Sequence, residues 1–373
     1  MTTTTFTDIH SDIIQTHILP RLDGPSLSTT ATASSHLKSL CSDDRLWSQI
    51  SRSTWPSITH PRLHHVISTF PSGHRSFFHD CFPALTTVVN YRRHSSSDNK
   101  SNCVSYNLDR EHFPSELISA VDIRYQNDVV YSATNFTKIT TEFLSSPVRL
   151  KVNPVYTEPA EPVDKTINLT VDEIIGADET TLSNLKASLT LNWILINPTS
   201  KRACNLSSVK AVSARADWVT NETHIRYVTV LPGCDPNKMV QCKIYVVLGV
   251  GEGGFLKVNE VVLKLHDLGS CCLNGFEFLG VVEAGLGEKN NVRREIVDDG
   301  DRLKSYEELK EIKRERKLRV KEKDRRRVVA VNCFGFFAIL VSVFVAFYFV
   351  KFGFVFVFLS VLIAMYVYVE ILE

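Results

Sequence analysis

The chain has 373 residues, of which 44% are hydrophobic, with 42 basic against 41 acidic side chains and a formal net charge of +1. That length allows two or three compact units at roughly 150 residues each, and the near-neutral balance excludes attraction of the whole surface to nucleic acid. Nine cysteines, odd in number, irregularly spaced and without a CxxC pair, point to a reducing compartment and predict no metal centre.

The opening MTTTTFTDIHSD lacks the basic flank and apolar run of a secretory signal, so the N-terminal body is expected in the cytosol. The sequons at Asn135, Asn168, Asn205 and Asn221 then read as chance occurrences. Next comes SDIIQTHILPRLDGPSL, where Asp12 is predicted to cap a helix from Ile13 and Ile14, Ile18 and Leu22 recur every four residues. Pro20 should kink that helix or end it near Leu19, because its ring clashes with the Thr16 carbonyl. Gly24 and Pro25 are expected to break it. A second helix from Ser26 carries Leu27, Leu37 and Leu40, and Asp43 or Asp44 caps a third with Leu46, Trp47 and Ile50. About forty-five residues enclose too little interior for all these groups, so a partner protein is expected to cover some of them.

The arrangement resembles the F-box, whose pattern opens with Leu-Pro and two polar residues, followed by a Leu/Ile pair, Ile-Leu, Arg-Leu and a later Leu-Trp. The counterparts here are Ile9, Asp12, Ile13-Ile14, Ile18-Leu19, Arg21-Leu22, Leu27 and Leu46-Trp47. His10 and Ser11 stand in place of the opening proline, and one extra residue precedes Arg21-Leu22. Trp55-Pro56-Ser57 and the stretch Gly73 to Phe78, GHRSFF, are similar to segments that follow the box in plant members of the family. The resemblance implies a box over 1–50 and a helical linker over 51–83. It also implies a Skp1-type adaptor as partner, a cullin reached through that adaptor, and no catalytic group in the chain itself. The residues it assigns to Skp1 binding or to the box core are Ile9, Ile13, Ile14, Ile18, Leu19, Leu22, Leu27, Leu37, Leu40, Leu46 and Trp47.

From 84 to 290 the apolar period shortens. DVVYSA (128–133), ASLTLNWILI (187–196), HIRYVTVL (224–231), CKIYVVLGV (242–250) and FLKVNEVVLKL (255–265) read as strands, separated by loop compositions at 94–102, 153–165 and 231–238. An antiparallel β-rich sandwich or open barrel is predicted, serving as the domain that binds a protein target. Gly249, Gly251 and Gly254 satisfy GxGxxG, but the alternating run after them is a strand pattern, so a glycine-rich hairpin is expected and no cofactor. His64, His65, His74 and His79 read as loop histidines, His266 with Cys271-Cys272 as ordinary side chains, and Trp193 and Trp218 as core aromatics.

Residues 291–327 read as a basic helical stalk, with Leu303, Tyr306, Leu309 and Ile312 at helical spacing. Its end, IKRERKLRVKEKDRRR, brings Arg314, Arg316, Lys317, Arg319, Arg325, Arg326 and Arg327 against a hydrocarbon tail. Positive flanks stay cytosolic, and the absence of interleaved aromatics favours anionic lipid over nucleic acid as partner. Residues 328–350 are free of charge, and 352–369 add a second apolar run beyond Lys351. The segment 328–369 therefore predicts one transmembrane helix, or a helical hairpin turning at Lys351–Gly353. The whole reads as an α+β chain, a membrane-anchored, non-enzymatic receptor of a ubiquitin ligase. The alternative is a membrane-anchored lectin-like or scaffold protein whose N-terminal helices merely pack on the β domain.

Overall fold

The computed structural model describes residues 10–84, 113–153, 163–170, 173–174, 179–233, 239–286 and 299–372. Ile9, the loop at 94–102 and most of those at 153–165 and 231–238 lie outside them. The described residues fall into two compact units, one ending at Glu308 and the other beginning at Leu309.

The chain enters through a composite helix: α1 (Ser11–Ile13), a π-helical turn (Ile14–Ile18) and a 3-10 turn (Leu19–Arg21). His10, rather than Asp12, is the N-cap, its ring nitrogen accepting from the Asp12 amide. The expected disruption at Pro20 takes the form of this change of pitch. The Leu19 amide reaches back to the Ile14 carbonyl, five residues earlier, and Pro20 sits at the start of the 3-10 turn, where no amide is required of it. A π turn accommodates one additional residue, and one additional residue is what separates this chain from the F-box spacing.

The expected break falls at Leu22 and Asp23, and Gly24 and Pro25 begin the second helix two residues before Ser26. Helix α2 (Gly24–Ala33) is capped by Asp23, whose carboxylate accepts from the Ser26 amide at 2.8 Å. At Ser34 (φ −159°) the second helical stretch divides, and the Ser34 hydroxyl caps α3 (Ser35–Leu40) by accepting from the Leu37 amide. Asp43 caps α4 (Asp44–Thr54). A 3-10 turn (Pro56–Thr59), α5 (Pro61–Ser68) and α6 (Gly73–Cys81) complete the helical layer. His64, His65, His74 and His79 thus lie on helices, not loops; the His74 ring is buried.

The middle is a sandwich of two six-stranded antiparallel sheets. The first has the order β4 (Val163–Asp164), β2 (Asp128–Lys138), β1 (Glu116–Tyr125), β6 (Leu189–Asn197), β7 (Arg202–Asn205), with β8 (Val209–Lys210) also on β6. The second runs β3 (Leu150–Val152), β12 (Phe255–His266), β11 (Met239–Val250), β10 (Glu222–Pro232), β9 (Ser213–Asp217), with β5 (Ile167–Thr170) also on β12. Leu117, Val121, Leu191 and Trp193 of the first sheet share one core with Ile225, Ile244, Val261 and Leu263 of the second. The other face of the first sheet is also buried: Ile118, Ala120, Ile194, Ile196 and Ala203 join the core of the helical layer. The fold is therefore α+β with three layers, helices on sheet on sheet.

The GxGxxG stretch is the β11–β12 hairpin, with Gly253 and Gly254 at φ 67° and 79°, conformations that glycine adopts without a Cβ penalty. Trp193 is fully buried, as expected. Trp218 is not a core residue: it is 78% exposed in the turn between β9 and β10, where the Asp217 carboxylate accepts from the Val219 amide. Three further helices, α7 (Thr141–Ser145), α8 (Glu179–Ser188) and α9 (Gly275–Leu286), connect or flank the strands.

The last helix, α10 (Asp299–Leu372), is continuous through Lys351 and Gly353. Its basic part carries exposed pairs at helical spacing, Arg319–Glu315 at 3.2 Å and Arg326–Glu322 at 3.3 Å among them, which contribute little individually. From Val328 to Met365 its apolar side chains are exposed, and it is long and apolar enough to cross a membrane.

Candidate functional site: the helical box and its seam with the sandwich

Of the eleven residues assigned to the box, Ile14, Leu19, Leu27, Leu37, Leu46 and Trp47 are buried. Ile18, Leu22 and Leu40 are half-buried, and Ile13 is 50% exposed. The box is less short of interior than its length suggested, because the helices that follow supply the missing core. Trp55, Ile58, Leu63, Phe77 and Phe78 pack into the same cluster. Trp47 lies 5.4 Å from Phe78, ring centre to ring centre, and donates its indole N–H to the Cys41 carbonyl at 2.7 Å. Among the described residues, the main apolar area that the box leaves to solvent is Ile13 with the outer parts of Ile18, Leu22 and Leu40.

The GHRSFF stretch has a physical role here. Gly73 has φ +56°, and a Cβ there would collide with the Asp44 carboxylate. That carboxylate, at the start of α4, accepts from the His74 amide at 2.7 Å and bonds the buried His74 ring at 2.9 Å. Phe78, one turn further on, packs against Gly24, leaving no room for a Cβ. Gly24→Ala is expected to destabilise the fold by about 1–3 kcal/mol, the usual range for overpacking, measurable as a lower urea midpoint at unchanged slope.

Polar groups fasten this layer to the first sheet. Asp122, fully buried on β1, accepts from the Ser57 amide (2.9 Å), the Ser57 hydroxyl (2.6 Å) and the Ser132 hydroxyl (2.6 Å). Burial pushes its carboxyl up to about 6, and the three donors and Arg124 oppose that rise. Thr134 on β2 donates to the Ser57 carbonyl. The Arg124 guanidinium satisfies the Ser53 and Thr54 carbonyls at the end of α4. At the other edge, Asp80 of α6 accepts from Arg202 and from the Ala203 amide. Arg62 pairs with Glu116, its guanidinium 4.4 Å from the centre of the Phe136 ring. None of these contacts is legible in the sequence. Only a lone carboxylate in the apolar run LISAVDI hinted at one of them.

The sheet is touched mainly by the 3-10 turn and α6, so the composite helix with α2 and α3 lies further from it in the layer. The architecture is thus a helical module with residual apolar surface packed on a β-sandwich. Comparison with known proteins gives the family. The chain is 36% identical over 351 residues to F-box protein At2g27310 of Arabidopsis thaliana, a match covering 90% of this chain and 94% of that protein. It is 36% identical to F-box protein At3g44326 over 83% of this chain and 82% of that one, and 35% identical to probable F-box protein At2g36090 over 91% and 94%, both also from Arabidopsis thaliana. The chain belongs to the plant F-box protein family. No family model matches it, and neither does any solved structure.

Proposed function

We propose that this protein is the non-catalytic substrate receptor of a Skp1-cullin-F-box ubiquitin ligase, held at a membrane by its C-terminal helix with the N-terminal body in the cytosol. The observation that carries the reading is kinship to F-box proteins along nine-tenths of the chain. In this reading the adaptor seats on Ile13 and the outer parts of Ile18, Leu22 and Leu40, while the sandwich retains a protein target. Ubiquitination is promoted by proximity alone, because holding the target near a charged enzyme raises the effective concentration of its lysines. The rigid seam supports this role by fixing the distance between the two binding surfaces. The basic flank of the apolar helix favours retention of that end in the cytosol and contact with anionic lipid.

Ile13→Asp is the cleanest test, since its side chain is half exposed and its replacement leaves the core intact. Co-purification with a Skp1-type adaptor is expected to fall at least about tenfold, ~1.4 kcal/mol of binding, with an unchanged unfolding midpoint. The pair Ile13→Asp with Ile18→Asp should abolish recovery. Undiminished recovery in both variants would overturn the ligase assignment and favour a scaffold role.

A further inference from the structure

The apolar half of α10 contains a repeat. Phe334, Gly335, Phe336, Ser342, Val343, Ala346 and Tyr348 recur as Phe352, Gly353, Phe354, Ser360, Val361, Ala364 and Tyr366, each displaced by 352 − 334 = 18 residues. The local structure repeats as well. The Ser342 hydroxyl donates to the Ala338 carbonyl at 2.9 Å, and the Ser360 hydroxyl to that of Phe356 at 2.6 Å, each bond reaching back one turn. Eighteen residues are five turns of α-helix, so repeated residues such as Ser342 and Ser360 lie on the same face, about 27 Å apart along the axis. That distance is close to the thickness of one hydrocarbon core, about 30 Å.

The tail thus holds two similar membrane-length stretches, identical at seven of eighteen positions, and the total is too long for a single crossing. Residues 328–369 extend about 63 Å as a helix. Fitting that length into about 30 Å would require a tilt near 60°, whereas membrane helices tilt by at most about 40°. Left upright, one whole unit of exposed phenylalanine and valine would stand in water. Between Arg327 and Glu370 the one charged residue is Lys351, at the junction of the units. Beside it Gly353 has nothing within 4 Å of a notional Cβ, and it leaves a notch lined by Tyr348, Phe349, Phe352 and Phe356. A charged residue belongs at a membrane surface, and a glycine between bulky rings is the position at which a helix yields most readily.

We infer that in a bilayer α10, continuous through Lys351 and Gly353 in the structure, folds back at those residues, so that the tail crosses twice, each repeat unit forming one span, with Lys351 at the far surface and Glu370 returned to the side of the basic stalk. This rests on the membrane placement proposed above and adds the number of crossings. In such a hairpin Ser342 and Ser360, each nine residues from Lys351, reach the same depth.

The full chain tests it, in two versions that each carry one spacer with an N-glycosylation acceptor, either inserted after Lys351 or appended after Glu373, translated into sealed endoplasmic-reticulum vesicles. The insertion at Lys351 is expected to be glycosylated and the appended acceptor to stay unmodified. Modification of both would mean that only the first unit spans, and modification of the appended acceptor alone that only the second does. Either result overturns the hairpin while leaving the membrane placement standing. Modification of neither would overturn both. None of these outcomes bears on adaptor capture, so the ligase reading is judged separately.

Discussion

Trp47→Ala should lower the stability of the protein by about 3–5 kcal/mol, the range for emptying a large aromatic site in a core that cannot fully collapse. The indole is fully buried, packed 5.4 Å from Phe78 and 5.8 Å from the His79 ring. Its N–H also satisfies the Cys41 carbonyl at the end of α3, which the alanine variant would leave without its donor. Against a typical net stability of 5–15 kcal/mol, such a loss unfolds a substantial fraction of molecules. Because the helical layer shares its core with Ile194 and Ile196 of the first sheet, the damage should reach the sandwich. Urea denaturation of the full chain in detergent, followed by near-ultraviolet circular dichroism, gives the midpoint. Adaptor capture should fall in parallel with it. A variant that kept its midpoint yet lost capture would show Trp47 facing the adaptor. The contrast with Ile13→Asp separates box core from docking surface, two roles that the family pattern assigns to one set of residues.

Two signals made strands legible: alternation where burial is one-sided, and a long apolar run in β6, which is buried on both faces. Strands β10, β11 and β12 border the second sheet's outer face, and the alternation in HIRYVTVL and FLKVNEVVLKL placed them within a few residues. Strand β1 escaped because Leu117 and Val121 face the other sheet while Ile118 and Ala120 face the helices, so ELISAVDIRY has no alternation to read. In the box the apolar positions and the Asp43 cap were legible, and the caps at His10, Asp23 and Ser34 were not. Asp23 competes with Gly24 and Pro25 for the role of punctuation, and a serine such as Ser34 is ordinary within a helix until its backbone turns extended. One signal was present and overlooked. Asn274 and Glu277 bond each other's amides at 2.9 and 3.1 Å, a capping box that announces helix α9. The seam was out of reach, since Ser57 and Asp122 are 65 positions apart and neither belongs to a motif. The 18-residue repeat was open to inspection throughout, hidden by an alphabet of phenylalanine and valine in which chance similarity is high.

Asp122 makes the seam sensitive to pH, and the sign follows from the direction of its shift. The carboxyl rises from 3.8 to about 6 on folding because burial disfavours its charge, so the folded protein holds its proton more tightly than the unfolded chain does. Its contribution is therefore complete below about pH 4 and is lost as pH climbs through 6. A rise from 3.8 to about 6 corresponds to a loss of about 3 kcal/mol over the whole titration, large for one residue. Asp122→Asn retains the shape but cannot titrate. The stability of the natural protein minus that of the variant should accordingly fall by about 2 kcal/mol between pH 4 and pH 7. Every other titrating group is common to both and cancels. The absolute stabilities will differ for a separate reason: the amide offers one acceptor oxygen to a site with three donors, so a Ser57 or Ser132 hydrogen is left unmatched. Urea midpoints at half-unit steps of pH separate the two effects, because the missing acceptor shifts the curve evenly and the proton tilts it. A flat difference would mean that the carboxylate is ionised at both ends of the range, with the Ser57 and Ser132 donors and Arg124 outweighing the cost of its burial.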